Sequence, residues 1–318
     1  MRRLTNRTLE LAATFEPRGP ALAITRSTLA FAELIAIVFT PNHDLFTYEP
    51  GLPGGMRCSS THGLSLWCLA GPSADGLFVS RLVAITVLLV VVSGYRPRWT
   101  CVPHWFITCS LTFSMTLPNG GDEVAVIATM LLAPISLGDG RTWHWSRPLE
   151  PLAPAWAGSS YAAWCAMRCQ IAIIYFCAAM SKLSVSQWRD GTAMYTVLVD
   201  PGYGLPITAR HALGPLIASG TAISLLTWGV IGIELAICAC ALSRRTVRRN
   251  GAWLAVLLHA GIMAAMGLFS FGLIMMALVL TLRLDDRDTV MPADSPGLQL
   301  LNALPAEGIQ PAAMHPST

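Results

Sequence analysis

Charged residues are scarce in this sequence of 318 residues. Only 12% are Asp, Glu, Lys or Arg, whereas 53% are hydrophobic. A soluble globular domain carries about 25% charged residues, so the composition indicates a membrane protein. The length suffices for about eight spans of about 20 residues, with little left for a separate soluble domain. The net charge of +3 is too small to indicate nucleic-acid binding.

Common enzyme and metal-binding fingerprints are missing as well. No serine-hydrolase elbow, P-loop, HExxH sequence or dinucleotide fingerprint occurs. His62 has no second histidine at ligand spacing, and nothing obviously completes a metal site with Cys165 and Cys169. We therefore predict no metal site. No small-residue cleavage site follows the basic residues 1–20, so the first apolar run is expected to serve as an uncleaved anchor.

Eight apolar runs predict an all-α, polytopic transmembrane helical bundle. Turn signals such as Asn119-Gly120-Gly121 separate them. The organisation expected is an N-terminal cytoplasmic segment at 1–20, a transmembrane domain at 21–284 and a disordered cytoplasmic tail at 285–318. The runs cover approximately residues 21–40, 77–93, 101–117, 124–137, 161–180, 213–242, 253–267 and 269–282.

The distribution of arginine predicts the orientation. Cytoplasmic loops of membrane proteins carry an excess of Lys and Arg. If the N-terminus lies inside, the outward loops hold few basic residues, namely Arg57, Lys182, Arg189 and Arg210. The inward loops then hold Arg96, Arg98, Arg141, Arg147, Arg244, Arg245, Arg248 and Arg249. We therefore expect both termini in the cytoplasm and an even number of spans.

Several ionisable residues interrupt the apolar runs. A charge in the hydrocarbon region costs roughly 2.5–3.5 kcal/mol even on insertion scales, so such residues usually face a bundle interior or a wet cavity. We expect one polar cavity, open to the outward side, with Lys182 near its mouth. The alternative is a structural network between helices. The candidate cavity residues are Arg26, Glu33, Arg81, Arg168, Tyr175, Trp188 and Glu234, and the candidate catalytic residues are Lys182 and His259.

Lys182 has two interpretations. Arg168, Tyr175 and Lys182 stand seven residues apart, so on a helix they lie nearly on one face. A lysine at the end of a transmembrane helix usually extends its ammonium to the headgroups. A lysine held against an apolar helix can instead act as a base. Trp188 is by default an interfacial anchor, and a lone His259 is more often a hydrogen-bonded packing residue than a catalyst.

Cys58 and Cys68 differ from the other seven cysteines because they lie in the first outward loop. Disulfides form and persist outside the cytoplasm. We therefore predict a disulfide between them.

Two segments carry a resemblance to a known family. Residues 170–191 (QIAIIYFCAAMSKLSVSQWRDG) and the later LLHAGIMAAMGLFSFGLIMMAL are similar to the HTTM family, the membrane domain shared with vitamin K-dependent gamma-carboxylase. The two-cysteine loop, PNGGDE at 118–123 and LLAPISLGDGRTWHW at 131–145 more closely resemble the SdpB family, bacterial HTTM-type proteins of sporulation-delaying toxin systems. This resemblance implies a bacterial plasma-membrane protein that helps to mature or export a secreted antimicrobial peptide. Its implied partners are that peptide's precursor and a small co-encoded protein.

The carboxylase motif carries over only in part. By resemblance, Lys182 matches the lysine that deprotonates vitamin K hydroquinone, His259 matches a histidine near the same site, and a quinone is the implied cofactor. The carboxylase's Asn-His pair is replaced by Asn119-Gly120-Gly121-Asp122, and its large lumenal domain is absent. We therefore do not predict glutamate carboxylation. The alternative function is a non-enzymatic transporter, immunity protein or scaffold.

Overall fold

The computed structural model describes residues 10–46, 58, 63–71 and 73–285. Eight long helices account for most of this part of the chain, and its only β-type contacts are two isolated bridges. The predicted tail therefore lies, apart from Asp285, outside the described residues. The helices are α1 (Pro20–Phe39), α2 (Ala74–Ser93), α3 (Pro97–Ser114), α4 (Gly120–Leu137), α5 (Pro154–Ser184), α6 (Gly220–Ala241), α7 (Arg245–Met266) and α8 (Phe269–Leu280).

Each of the eight apolar runs overlaps one of these helices, so the predicted all-α bundle is confirmed. Five helices, α1, α2, α4, α5 and α6, are long and apolar enough to cross a membrane. α8 is apolar but has only 12 residues, and α3 and α7 carry more polar residues. The number of membrane passes therefore remains a prediction.

Local signals in the sequence fix several helix ends. The Asn119 side chain accepts hydrogen bonds at the start of α4, and Asp122 returns one to the backbone of Asn119, forming a capping box. Ser73 and Ser219 cap α2 and α6 in a similar way. α2 ends at Gly94, whose φ of 87° suits a residue without a side chain.

The helices form a closed ring in chain order. Each helix packs on the next, and α8 also packs on α1 and α4, so it lies in the middle of the bundle. Its side chains show this position, because Ile274 and Leu278 are fully buried.

The loops gather at two ends of the bundle, as expected for helices that alternate in direction. We call the end near the described termini the proximal end. There the backbone N–H of Arg96 donates to Thr142 O at 2.7 Å, and the Trp164 indole donates to Thr281 O at 3.0 Å. At the opposite, distal end, Thr116 N–H donates to Leu45 O at 3.0 Å. The same distal end carries four short helices between α5 and α6: Ser186–Arg189, Ala193–Val199, Ile207–Ala212 and Gly214–Ile217.

Candidate functional site

Lys182 lies two residues before the distal end of α5, but its side chain turns back into the bundle. Side chains on a helix tilt toward its N-terminus, and the ammonium lies 3.4 Å from Ala178 O, one turn earlier. It donates to Glu234 Oε1 on α6 at 2.6 Å. The side chains of Lys182 and Glu234 are 22% and 9% exposed. Lys182 is therefore an ion-pair partner inside the bundle and does not extend outward to the headgroups.

Trp188 covers the same ammonium. Its ring centroid lies 5.3 Å from Lys182 Nζ, a cation–π distance. The ring belongs to the short helix Ser186–Arg189, which follows α5 directly and packs against it. Trp188, predicted as an interfacial anchor, thus also contacts the site from the distal side.

A second pair involves Tyr175, which stands seven residues before Lys182 on the same face of α5 and therefore lies deeper in the bundle. The Tyr175 hydroxyl is 2.7 Å from His259 Nε2 on α7, and both residues are buried. Glu234 lies within electrostatic range of Tyr175. The structure therefore groups five predicted residues, contributed by α5, the helix after it, α6 and α7. We call this group the Lys182 site: Tyr175, Lys182, Trp188, Glu234 and His259.

Two polar atoms of the Lys182 site have no hydrogen-bond partner among the described residues. They are Glu234 Oε2 and His259 Nδ1, and both are buried. A buried polar atom without a partner costs free energy, and in a native protein it calls for a water, a ligand or a functional role. The contact between Nζ and Oε1 is also short enough for direct proton transfer.

A quinone carbonyl needs a hydrogen-bond donor. The Lys182 ammonium is directed to Glu234, Ala178 O and the Trp188 ring, whereas His259 Nδ1 has no partner among the described residues. Ionised Glu234 offers acceptor oxygens only. Within the described residues no group of three His, Cys, Asp or Glu side chains is placed to hold a metal ion.

Arg81 and Arg168 lie elsewhere, so the prediction that they join Lys182 in one cavity is wrong. Arg81 on α2 binds Ile37 O, Thr40 O and the Asn42 side chain at the end of α1. Arg168 on α5 donates to Ala241 O at 3.0 Å and to Ser243 O at 3.3 Å. The last carbonyls of a helix lack partners within the helix and carry partial negative charge. Both arginines therefore cap the C-terminus of a neighbouring helix.

Arg26 and Glu33 are also separate from the Lys182 site, which corrects the same prediction. They point from α1 to α3, where Arg26 Nη2 donates to Thr100 Oγ1 at 3.0 Å. Glu33 Oε1 accepts from Thr108 at 2.8 Å, and Oε2 lies 3.5 Å from His104 Nε2. The buried ionisable side chains thus lie in separate small groups, each bound to polar atoms of a neighbouring helix.

His144 in the proximal loop was not among the predicted site residues. It is 1% exposed, its backbone N–H donates to Gly94 O at 2.9 Å, and its Nε2 lies 3.3 Å from Ser27 Oγ. Burial, together with the positive charges of Arg26 and Arg141, lowers the pKa of His144 to about 3. The imidazole is therefore neutral at physiological pH, and it fastens the proximal loop to α1.

Cys58 and Cys68 are joined by a disulfide in the structure, with their Cα atoms 5.5 Å apart. The pairing is the one proposed from the sequence. Residues 59–62 of the loop between them lie outside the described residues.

Two curated proteins of Bacillus subtilis (strain 168) are similar to this chain over most of its length. The uncharacterized protein YitO is 32% identical over 260 residues, which cover 81% of this chain and 82% of YitO. Sporulation-delaying protein SdpB is 30% identical over 265 residues, which cover 83% of this chain and 81% of SdpB. No family model and no solved structure matches the chain. On this similarity the chain belongs to the SdpB-like family.

Proposed function

We propose that this chain is a multi-pass protein of the bacterial plasma membrane that takes part in the maturation or export of a secreted antimicrobial peptide. Its relative SdpB bears the name sporulation-delaying protein, and membership of that family supports a role in a toxin system of this kind. The partners we propose are the peptide precursor and a small co-encoded protein.

The charge of the two ends supports an orientation with the proximal end in the cytoplasm. Cytoplasmic loops are enriched in Lys and Arg. Among the described residues, the distal end holds Arg81, Lys182, Arg189 and Arg210. The proximal end holds Arg18, Arg96, Arg98, Arg141, Arg147, Arg244, Arg245, Arg248, Arg249 and Arg283. In this orientation both termini are cytoplasmic, and Lys182 lies near the outward face, where a secreted peptide passes.

The single observation that carries the chemical part of the proposal is the contact of 2.6 Å between Lys182 and Glu234. Lys182 is the only lysine of the chain. When Nζ passes one proton to Glu234 Oε1, the nitrogen regains a lone pair and can accept a proton from a bound substrate. Over both steps the substrate loses one proton and Glu234 gains one. Tyr175 and His259 hold α5 against α7 beneath the reacting pair.

A lysine in this position is consistent with an HTTM-type membrane domain, which we propose for residues 21–284. The Lys-Leu dipeptide of the matched segment is Lys182-Leu183, at the end of the longest helix of the bundle. No quinone is included in the proposal, because the Lys182 ammonium already donates to Glu234.

The test is secretion of active peptide from cells in which this chain carries Lys182→Met. Methionine keeps most of the length and apolar packing of lysine but has no amine. We expect active peptide to fall roughly a hundredfold or more, the scale of losing a general base, which is a larger decrease than any fall in protein level. Thr86→Val on the exposed face of α2 is the matched control. Normal peptide activity from the Lys182→Met protein would favour a non-enzymatic transporter, immunity or scaffold role.

A further inference from the structure

α3 carries a polar stripe along its whole length. Thr100, His104, Thr108, Thr112 and Thr116 follow one another at intervals of four residues, so the first four lie on one face of the helix and Thr116 continues the series just beyond its end. Thr116 and Thr100 lie near the distal and proximal surfaces, whereas His104, Thr108 and Thr112 are buried. An ordinary packing face would carry apolar side chains at these three buried positions.

The stripe meets both ionisable residues of α1. Glu33 contacts Thr108 and His104 in the middle of α3, and Arg26 binds Thr100 near the proximal end. At the distal end, Thr112 Oγ1 donates to the backbone oxygen of Asp122 at 3.3 Å. Polar groups of α1, α3 and α4 thus follow one another from one end of the bundle to the other.

Several atoms along this line lack a hydrogen-bond partner in the described part of the chain. They are Glu33 Oε2, His104 Nε2 and Arg26 Nη1, each on a side chain that is more than nine-tenths buried. Glu33 Oε2 and His104 Nε2 face each other at 3.5 Å, a separation that a small movement of either side chain would shorten to a hydrogen bond. Carboxylate and imidazole groups in series inside a membrane protein are typical of proton relays.

We propose that the α3 stripe, together with Glu33 and His104, is a proton path through the half of the bundle that does not contain Lys182, closed at its proximal end by Arg26. A proton enters from the distal side along the Thr116 and Thr112 hydroxyls, binds the Glu33 carboxylate and passes to the His104 imidazole. Only protons move, and a proton gradient across the membrane drives them. The fixed positive charge of Arg26 repels a proton that would continue to the proximal side, as a pore-lining arginine does in channels.

The surroundings of Glu33 contain few other charges. α3 contributes His104 and Cys109, and α4 contributes Asp122, whose side chain caps the start of α4. Arg81 of α2 is directed to the carbonyls at the end of α1. α8 contributes no ionisable side chain, and Arg26 lies two turns away on α1. A proton that reaches Glu33 from the distal side therefore has His104 as its nearest relay partner.

Proton flux into proteoliposomes tests the proposal. The purified full chain would be reconstituted with an internal pH-sensitive dye, and a potassium–valinomycin potential would drive protons inward. Four proteins are compared: wild type, Arg26→Gln, Glu33→Gln and the double variant. Glutamine at position 26 retains a donor for Thr100, and glutamine at position 33 retains an acceptor for Thr108. Thr86→Val is the matched control, and thermal melting of each protein monitors folding.

We expect Arg26→Gln to raise the flux roughly tenfold over wild type, because it removes the charge barrier. The double variant should show only the flux of empty liposomes. Glu33→Gln alone should also fall from the wild-type flux to that level. A folded Arg26→Gln protein without increased flux would overturn the proposal, as would a double variant that keeps it. If Arg26→Gln does not fold, equal flux in wild type and Glu33→Gln would overturn it.

Discussion

The direction of one side chain decides what Lys182 can do. Its position at the end of α5 suggests a headgroup contact, but the tilt of helical side chains toward the N-terminus brings Nζ to Glu234, 2.6 Å away. The sequence could place Lys182 at a helix end on one face with Tyr175. It could not identify Glu234 as the partner, because that depends on how α5 and α6 pack.

A prediction at the residue scale concerns the reactivity of the only lysine. Glu234→Gln removes the carboxylate that holds the ammonium, so Nζ is less restrained and more accessible to a reagent. We expect an amine-reactive reagent to modify Lys182 several-fold faster in Glu234→Gln than in wild type. Peptide mass spectrometry measures this, because the α-amino group is the only other amine of this kind and serves as an internal reference. Equal rates would show that the ion pair does not restrain the amine.

His144 provides a prediction of pH dependence. Its pKa falls from 6.5 to about 3 in the folded protein, so between these values the unfolded state binds a proton that the folded state does not. Stability from this residue is therefore present above pH 6.5 and decreases as the pH falls. From pH 7 to pH 5 we expect wild type to lose up to about 2 kcal/mol more stability than His144→Gln. Thermal unfolding in detergent at both pH values measures it, and equal losses would contradict the assignment.

At the scale of elements, arginines from one helix repeatedly cap the C-terminus of another segment. Arg81 caps α1, Arg168 caps α6, and Arg189 donates to Leu183 O and Ser184 O at the end of α5. Carbonyls without partners are costly in a membrane, and a cation at a helix C-terminus is favourable. These roles were not visible in the sequence because the acceptors are backbone atoms, which every residue has.

Arg168 tests this capping role. Arg168→Ala leaves the last carbonyls of α6 without their donors, so we expect a loss of about 1–3 kcal/mol in stability and less protein in the membrane. Arg168→Lys should recover only part of the loss, because an ammonium lacks the planar fork of a guanidinium. Melting followed by size-exclusion chromatography measures both variants. An Arg168→Ala protein as stable as wild type would contradict the capping role.

The helices themselves were largely predictable, whereas the polar contacts between them were not. Apolar runs and turn signals such as Asn119-Gly120-Gly121 predicted eight helices in the right order. The stripe on α3 was not predicted because four of its five members are threonines. Threonine is uncharged and common in helices, so its spacing of four residues gives a weak signal in the sequence. The separation of Glu33 from Glu234 also depends on the packing of the ring, which periodicity does not encode.

At the scale of the whole molecule, the ring of helices places most described arginines at the proximal end. We therefore expect a reporter fused after Arg249 to be active only in the cytoplasm and one fused after Tyr203 only outside. Paired fusions with alkaline phosphatase and a fluorescent protein give the two readouts. Phosphatase activity after Arg249 would invert the orientation and place the Lys182 site on the cytoplasmic side.

The central claim is that an amine at position 182, and not merely an ion pair between α5 and α6, carries the function. The most direct measurement is secretion of active peptide from cells carrying Lys182→Glu together with Glu234→Lys. This exchange retains one positive and one negative charge between the two helices but moves the amine to α6. We predict normal protein level and melting temperature with peptide activity as low as in Lys182→Met. Full peptide activity in the exchanged protein would contradict the claim and leave the pair a structural contact.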